Sequence, residues 1–455
     1  VWVASSISPA DLVRGEPIAT IDYRVHYAEA RNAAEHLRRV GALSGWDPHW
    51  MAGFPEGIIG LIDNKLFMLL LPLAPANGAA TLFNALIVAT LLLPIGAIGL
   101  AARICGAGAL EVSAAAFAAT LVTFTVPISV QFWALGGISF FLATMLAVPA
   151  VLATARALDE GSLATGWGIC GGVLATLAVV VHLGAGFVLA PGLAIAALRG
   201  DRASLRRWVH VAVLAFVLCL AAAPPIVALA ELRDQLTSRE AEKLMQGGPW
   251  RFVEDWVFRL FRTSTGTNGG IGGVFALVVL AACGARGATS WKRFAPEIAA
   301  SIGTFFVLAY LASLTSVGAA LTPYRFIVSA AFFLCLPAAT GLVWLVRGAV
   351  RARPATLVLA LLVALSIAEA AHGLSPAAVL GTGDDPAEAA VADFLERNTT
   401  GEDRILFDLG GRSEPAFPGS SRNIIVGRFI LLPLRVPREF LGYAYPSAIT
   451  SYGYT

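Results

Sequence analysis

The sequence predicts an all-α polytopic membrane protein. Three observations carry that reading. Of the 455 residues 57% are hydrophobic and only 14% charged, against about 25% charged in an average soluble domain. Apolar runs of about 20 residues, long enough to cross a bilayer, recur along the chain. Basic residues collect in short loops between those runs, the pattern of cytoplasmic connections. Net charge is +2, and no basic run interleaved with aromatics offers a nucleic-acid footprint, so the bilayer and not nucleic acid is the expected partner. Cys105, Cys170, Cys219, Cys283 and Cys335 lie in or beside apolar runs without a metal or redox spacing. They read as small core residues.

Residues 1–77 precede the first long apolar run and form a first extracytoplasmic loop. Within it "DYRVHYAEARNAAEHLRRV" (22–40) sets Tyr23, Tyr27, Ala30, Ala34 and Leu37 at helical spacing, with Arg24, Arg31, Glu35 and Arg38 on other faces. That spacing predicts an amphipathic helix along the membrane surface. "GWDPHWMAGFPEG" (45–57) follows. Its prolines restrict the backbone, its glycines permit tight bends, and Trp46 and Trp50 suit a polar–apolar boundary, so it reads as a rigid turn back toward the membrane.

The transmembrane domain covers 78–373, with spans near 78–104, 111–132, 135–155, 208–230, 270–285, 296–316, 326–346 and 355–373. The apolar run 163–198 is too long for one span and is interrupted by "HLGAG" (182–186), which predicts a hairpin of two short helices turning at His182. That makes ten segments. The loops 199–208, 284–297 and 347–353 are basic and are expected to be cytoplasmic. Counting spans from them puts residues 1–77, His182, the loop 231–269, "LTPYRF" (321–326) and everything after 373 on the opposite side, and the count works only with the hairpin. In the loop 231–269, "WRFVEDWVFRLF" (250–261) has the stripe of an interfacial or packed helix. Residues 374–455 turn soluble, with a helix at 387–397 and a strand at 404–409 that open a small extracytoplasmic α/β domain. Asn398-Thr399-Thr400 has the form of a glycosylation acceptor. The chain opens on Val and closes inside a strand-like run, so a longer protein is expected, with a transmembrane helix before Val1.

Few residues in such a chain offer chemistry. Asp22 opens the first surface helix, where the residues alone favour a carboxylate that caps exposed backbone N–H groups; a general base for an acceptor hydroxyl is compatible with that position. Asp47 and His49 in the aromatic turn are secondary candidates, while Glu56 and Asp63 are unremarkable surface acids. His182 is an ionisable residue flanked by apolar segments, a costly placement that tends to face a cavity, although a helix break also offers it a backbone carbonyl. Arg325, with Tyr324 beside it in "TPYRF", either snorkels at a span end or presents its guanidinium fork to a phosphate. "GTNGGIGG" (266–273) lacks the Lys and Ser/Thr of a P-loop and follows no strand. No metal-ligand cluster is visible.

Taken together, the acid in the first loop, the surface helix behind it, "GWDPHWMAGFPEG", the broken pair with His182 at its tip and the soluble domain after the last span resemble the GT-C superfamily of polytopic glycosyltransferases. The series "D...Y", "G.L..WDP....G.P", "TPYRF" and "DFLERNTTGEDRILFD" is similar to the bacterial membrane proteins grouped as 6-pyruvoyl-tetrahydropterin synthase-related, a label that implies no pterin chemistry here. The resemblance implies a GT-C-like fold, a polyprenyl-phosphate sugar as donor substrate, a glycan or lipid acceptor, Asp22 as general base, and His182, Arg325 and Tyr324 at the donor phosphate or sugar. No cofactor is evident; a divalent metal is compatible but not indicated. The expected location is the bacterial inner membrane, with the active face extracytoplasmic. The WWDYG motif of oligosaccharyltransferases is missing, which argues against a peptide acceptor. A non-catalytic scaffold of the same fold and a glycolipid transporter are the alternatives; a transporter calls for ionisable groups at mid-bilayer and an internal repeat, and neither is visible.

Overall fold

The computed structural model describes residues 12, 15–18, 20, 22–43, 45–47, 54–56, 65–75, 78–161, 165–199, 204–231, 271–286, 290–314, 323–372, 386–400, 404–407 and 439–442. Helix α1 (Asp22–Val40) is followed by an antiparallel pair, β1 (Gly45–Asp47) and β2 (Phe54–Glu56), and by the short α2 (Lys65–Leu70). The apolar body comprises α3 (Ala79–Ile104), α4 (Ala109–Thr125), α5 (Pro127–Leu135), α6 (Ile138–Asp159), α7 (Gly166–Val181), α8 (Ala185–Arg199) and α9 (Leu205–Glu231). It continues through α10 (Ile271–Ala285), α11 (Ala295–Leu314), α12 (Ile327–Val350) and α13 (Pro354–His372). Helix α14 (Pro386–Asn398) then leads to β3 (Arg404–Phe407), which pairs in parallel with β4 (Glu439–Gly442). The chain is thus an all-α polytopic membrane protein, with a short parallel strand pair after its last described helix.

Among the described residues five helices are long and apolar enough to cross a membrane alone, and seven spans result if each of two broken pairs counts as one. One of those pairs differs from the uninterrupted span expected at 111–132: α4 and α5 meet at an angle of 65°. Val126 is extended there (φ −82°, ψ 117°) and Pro127 begins the next helix. Proline disfavours a helical conformation in the residue before it and suits the first helical position, which needs no N–H donor. The run 163–198 is two short helices, and His182 is extended between them (φ −156°, ψ 125°).

Helix α6 is the central column, buried along nearly its whole length by α3, α7, α8 and α12. By contrast α9 and α13 leave much of their apolar surface uncovered, as helices that face lipid do. The two ends of the bundle are chemically different. At one end Asp159 accepts from Arg199 (2.6 Å) and Arg293 (2.9 Å), and Arg199 also pairs with the fully buried Glu297 (3.0 Å). Arg207 donates there to the carbonyls of Ala197 (3.0 Å), Leu158 (2.8 Å) and Ala196. Chain alternation puts the turn at 351–353 between α12 and α13 at the same end. His182, the start of α12 and the start of α3 mark the other end.

Candidate functional site

The site is built at the end that carries His182. Two buried anchors hold the backbone around Asp22. Before it, the side-chain amide of Asn84, fully buried in α3, accepts from the Ile18 N–H (2.8 Å) and donates to the Glu16 carbonyl (2.7 Å). Just after it, the Tyr23 hydroxyl donates to the Trp133 carbonyl (2.5 Å), while the Trp133 indole N–H donates to the Thr123 carbonyl (2.9 Å). One turn further, His26 Nε2 lies 3.0 Å from the carbonyl oxygen of Gly136 and so carries a proton. Helix α1 is therefore docked by its first turn onto the α5–α6 connection. Its apolar face (Tyr23, Ala30, Ala33, Ala34) is covered by protein, and Glu35, Arg38 and Arg39 are exposed. Asp22 is the first residue of this helix.

The α5–α6 connection needs its two glycines. Gly136 has φ +106°, a left-handed conformation that side chains rarely adopt, and a Cβ on Gly137 would meet the Phe132 ring at 2.6 Å. The tight turn brings Phe132 and Phe140 together, with ring centroids 5.5 Å apart. Phe140 then serves as hub: the His182 ring stands edge-on to it at 5.0 Å and the Phe326 ring at 5.3 Å. Arg325 is the neighbour of Phe326 in the turn Pro323–Phe326 and is half-buried. Thus the turns bearing His182 and Arg325 pack on one aromatic ring, and the start of α1 docks four residues before that ring in sequence.

His182 has a defined tautomer. Its Nδ1 accepts a hydrogen bond from the Gly184 N–H (2.9 Å), so the neutral ring carries its proton on Nε2 and offers a donor. Gly184 is required there, because a Cβ would come within 2.9 Å of that Nδ1 and 3.1 Å of the Phe140 ring. A neutral-ring Nε2–H donor and an arginine on two turns that share one aromatic ring are groups suited to an anion.

Of the other candidates, Tyr324 lies in the turn Pro323–Phe326 and Asp47 ends β1 as backbone positions. His49, Asp63, the stretch 250–261 and most of "GTNGGIGG" lie outside the described residues. Among the described residues no three His, Cys, Asp or Glu side chains are gathered as a metal ion would need. The five cysteines carry free thiols. Sequence reasoning passed over Asn84 and His26. A lone amide inside the apolar run "TLFNALIV" was the available signal for Asn84; His26, on a helix already polar on several faces, gave none.

No family model and no curated protein matches this sequence. The fold does have solved counterparts. It is similar to the oligosaccharyltransferase of the archaeon Archaeoglobus fulgidus tethered by a disulfide to an acceptor peptide containing the NVT sequon (TM-score 0.56, 13% identity, 97% of this chain and 62% of that one). It is similar also to the apo form of that enzyme (TM-score 0.54, 13% identity, 97% and 63%) and to the oligosaccharyltransferase AglB from Archaeoglobus fulgidus in complex with an inhibitory peptide and a dolichol-phosphate (TM-score 0.52, 13% identity, 97% and 64%). The chain has a GT-C-type membrane fold. It spans less than two thirds of the length of these neighbours.

Proposed function

We propose that this chain is a glycosyltransferase that moves a sugar from a polyprenyl-phosphate donor to an extracytoplasmic glycan or lipid, at the outer face of a bacterial inner membrane. The single observation that carries the reading is the convergence on the Phe132–Phe140 cluster of three segments: the start of α1 with Asp22, the turn with His182, and the turn with Arg325. The GT-C fold supports it by analogy, since fold alone does not fix function. So does the lipid phosphate bound by the archaeal neighbour. A transport path is disfavoured because the second charged cluster sits at the opposite end, with the apolar column of α6 between.

In the proposed reaction Asp22 takes the proton of the acceptor hydroxyl as its oxygen attacks the anomeric carbon. The bond from that carbon to the phosphate oxygen breaks, and both electrons stay with the phosphate. His182 donates from Nε2 to the departing oxygen, Arg325 compensates its charge, and Tyr324 contacts the phosphate or sugar. A single displacement inverts the anomeric centre. Asp22→Asn keeps a residue that tolerates a helix start but removes the base. Transfer of radiolabelled sugar from a polyprenyl-phosphate donor, in membranes with matched protein levels, is expected to fall by about 100-fold or more. Transfer at the parent rate would remove Asp22 from the mechanism.

A further inference from the structure

At the end of the bundle opposite His182 the cations fall into two groups. On the side of α6, α8 and α11 they are engaged: Arg156 with Glu160, Arg199 with Asp159 and Glu297, Arg293 with Asp159, and Arg207 with three carbonyls. On the side of α10, α12 and α13 they are not. Arg286, Lys292, Arg347, Arg351 and Arg353 are exposed there, and their side chains make no hydrogen bond or ion pair with a described residue. Glu111, at the start of α4, accepts from the Ser290 hydroxyl (3.3 Å) and so matches none of them.

Packing brings these cations together. Gly272, at the start of α10, meets Ser366 near the end of α13, and Gly284 meets Pro337 and Gly341 of α12, so α10 runs toward the α12–α13 turn. At about 1.5 Å per residue from the Gly284–Gly341 crossing, Arg286 and Arg347 lie within about 6 Å of each other along the helix axes. The turn itself is closed at both ends. The Arg353 N–H donates to the Gly348 carbonyl (3.3 Å) and the Ala352 N–H to that of Ala349 (2.8 Å), with Ala352 left-handed (φ 52°) where glycine is usual. Thr356 Oγ1 then donates to the Arg353 carbonyl (2.8 Å). Arg351 and Arg353 are thus carried on a fixed backbone.

Next to this charge the surface is apolar and uncovered. Trp344, Arg347 and Arg351 follow one another at spacings of three and four residues, which puts them on one face of α12, and all three are exposed. Beside them α13 exposes Leu357, Val358 and Leu361. Where a lipid-facing helix ends, its side chains meet headgroups, and an exposed Trp suits that boundary. We propose that the joined ends of α10, α12 and α13 bind an anionic phospholipid, with its phosphate on Arg347 and Arg351 and its acyl chains along Trp344 and the exposed face of α13. Arginine forks match phosphate oxygens in pairs, and the apolar strip selects a lipid over a free anion. The site stands apart from the transferase reading, since no step of that scheme uses this end.

Native mass spectrometry of the whole protein in detergent, titrated with dioleoylphosphatidylglycerol or dioleoylphosphatidylcholine, measures the first lipid bound. Each cation near an anionic lipid contributes about fivefold in affinity, so the wild type is expected to prefer the glycerol lipid by about 10-fold or more. The pair Arg347→Gln/Arg351→Gln is expected to lose at least about fivefold of that preference, and Arg347→Lys/Arg351→Lys to keep most of it. All variants should unfold at the parent temperature without added lipid, because the substituted side chains are exposed. The pair Arg39→Gln/Arg397→Gln removes the same charge from exposed positions elsewhere and is expected to keep the full preference. An undiminished preference in Arg347→Gln/Arg351→Gln overturns the proposal, as does an equal loss in the Arg39/Arg397 pair, which would make the effect one of net charge. Competition by millimolar inorganic phosphate would reassign the patch to a soluble anion and overturn it also. So would a wild-type dimer that these glutamines dissociate, since the patch would then be an interface between copies of the chain.

Discussion

Two charged residues at opposite ends of the bundle obey different physics. Glu297 has no exposure, yet Arg199 lies 3.0 Å from it and is itself held by Asp159, so the charges compensate one another. Among the described residues Lys65 has no such partner, and partial burial holds its ammonium below the ordinary lysine range. The sign of the pH effect follows. Between the lowered folded value and about 10.4, the unfolded chain binds a proton at Lys65 that the folded chain does not, so stability rises with pH. Tyr27 acts in the opposite sense, because burial raises its phenol above the usual value, an effect that Arg31 partly offsets. Its contribution is present below about pH 10 and is lost above it. Ligand-free protein is therefore expected to gain stability as pH rises toward about 10, and Lys65→Met to flatten that slope. Chemical denaturation in detergent at a series of pH values reads the slope directly; an equal slope in the variant would show that Lys65 is solvated.

At the scale of elements, α10 and α12 approach one another backbone to backbone. A Cβ on Gly341 would lie 1.8 Å from the Leu280 carbonyl oxygen, and one on Gly284 would lie 1.9 Å from that of Pro337. The two glycines are reciprocal, each receiving the other helix's backbone. Alanine improves helix propensity by about 1 kcal/mol, but overpacking against backbone costs about 1–3 kcal/mol or more, so the clash wins. Gly341→Ala is expected to lower the melting temperature, while Gly303→Ala in α11, whose Cβ would meet nothing, is neutral or stabilising. Equal behaviour of the two variants in thermal unfolding would mean that α10 and α12 are not in contact. This contact also marks where sequence reading stops. Apolar length locates helices, and a polar residue inside an over-long apolar run located the break at His182. The break at Val126 was missed because Pro127 and its neighbours do not lower hydropathy. The roles of Gly341 and Asn84 depend on residues tens of positions away, Leu280 and Glu16, and no local pattern reports them. Asp22, His182 and Arg325 could be picked out one at a time because each is a charged or titratable group at the edge of apolar sequence; the aromatic ring that gathers their segments, Phe140, looked like any other core residue.

For the whole molecule, the separation of two chemically distinct ends turns the proposed function into a question of orientation. Arg199, Arg207 and Arg293 cluster at one end, where chain alternation also puts the basic turn at 351–353, and the end with His182 and α1 carries the candidate site. Basic loops stay in the cytoplasm because translocating several positive charges is unfavourable. If that bias sets the topology, the site opens outward, where a lipid-linked sugar would meet an envelope acceptor. Two exposed positions at opposite ends report on it: Ala42, just after α1, and Arg351, in the turn after α12. In intact cells a membrane-impermeant maleimide is expected to label Ala42→Cys promptly and Arg351→Cys only after permeabilisation. The unsubstituted chain supplies the background, since Cys105 and Cys335 are buried and Cys219 lies on the apolar helix α9. The reverse labelling pattern would put Asp22 and His182 in the cytoplasm. The bundle would be unchanged by that result, but an extracytoplasmic acceptor would be ruled out, and the donor would have to be used on the side where nucleotide sugars are already available.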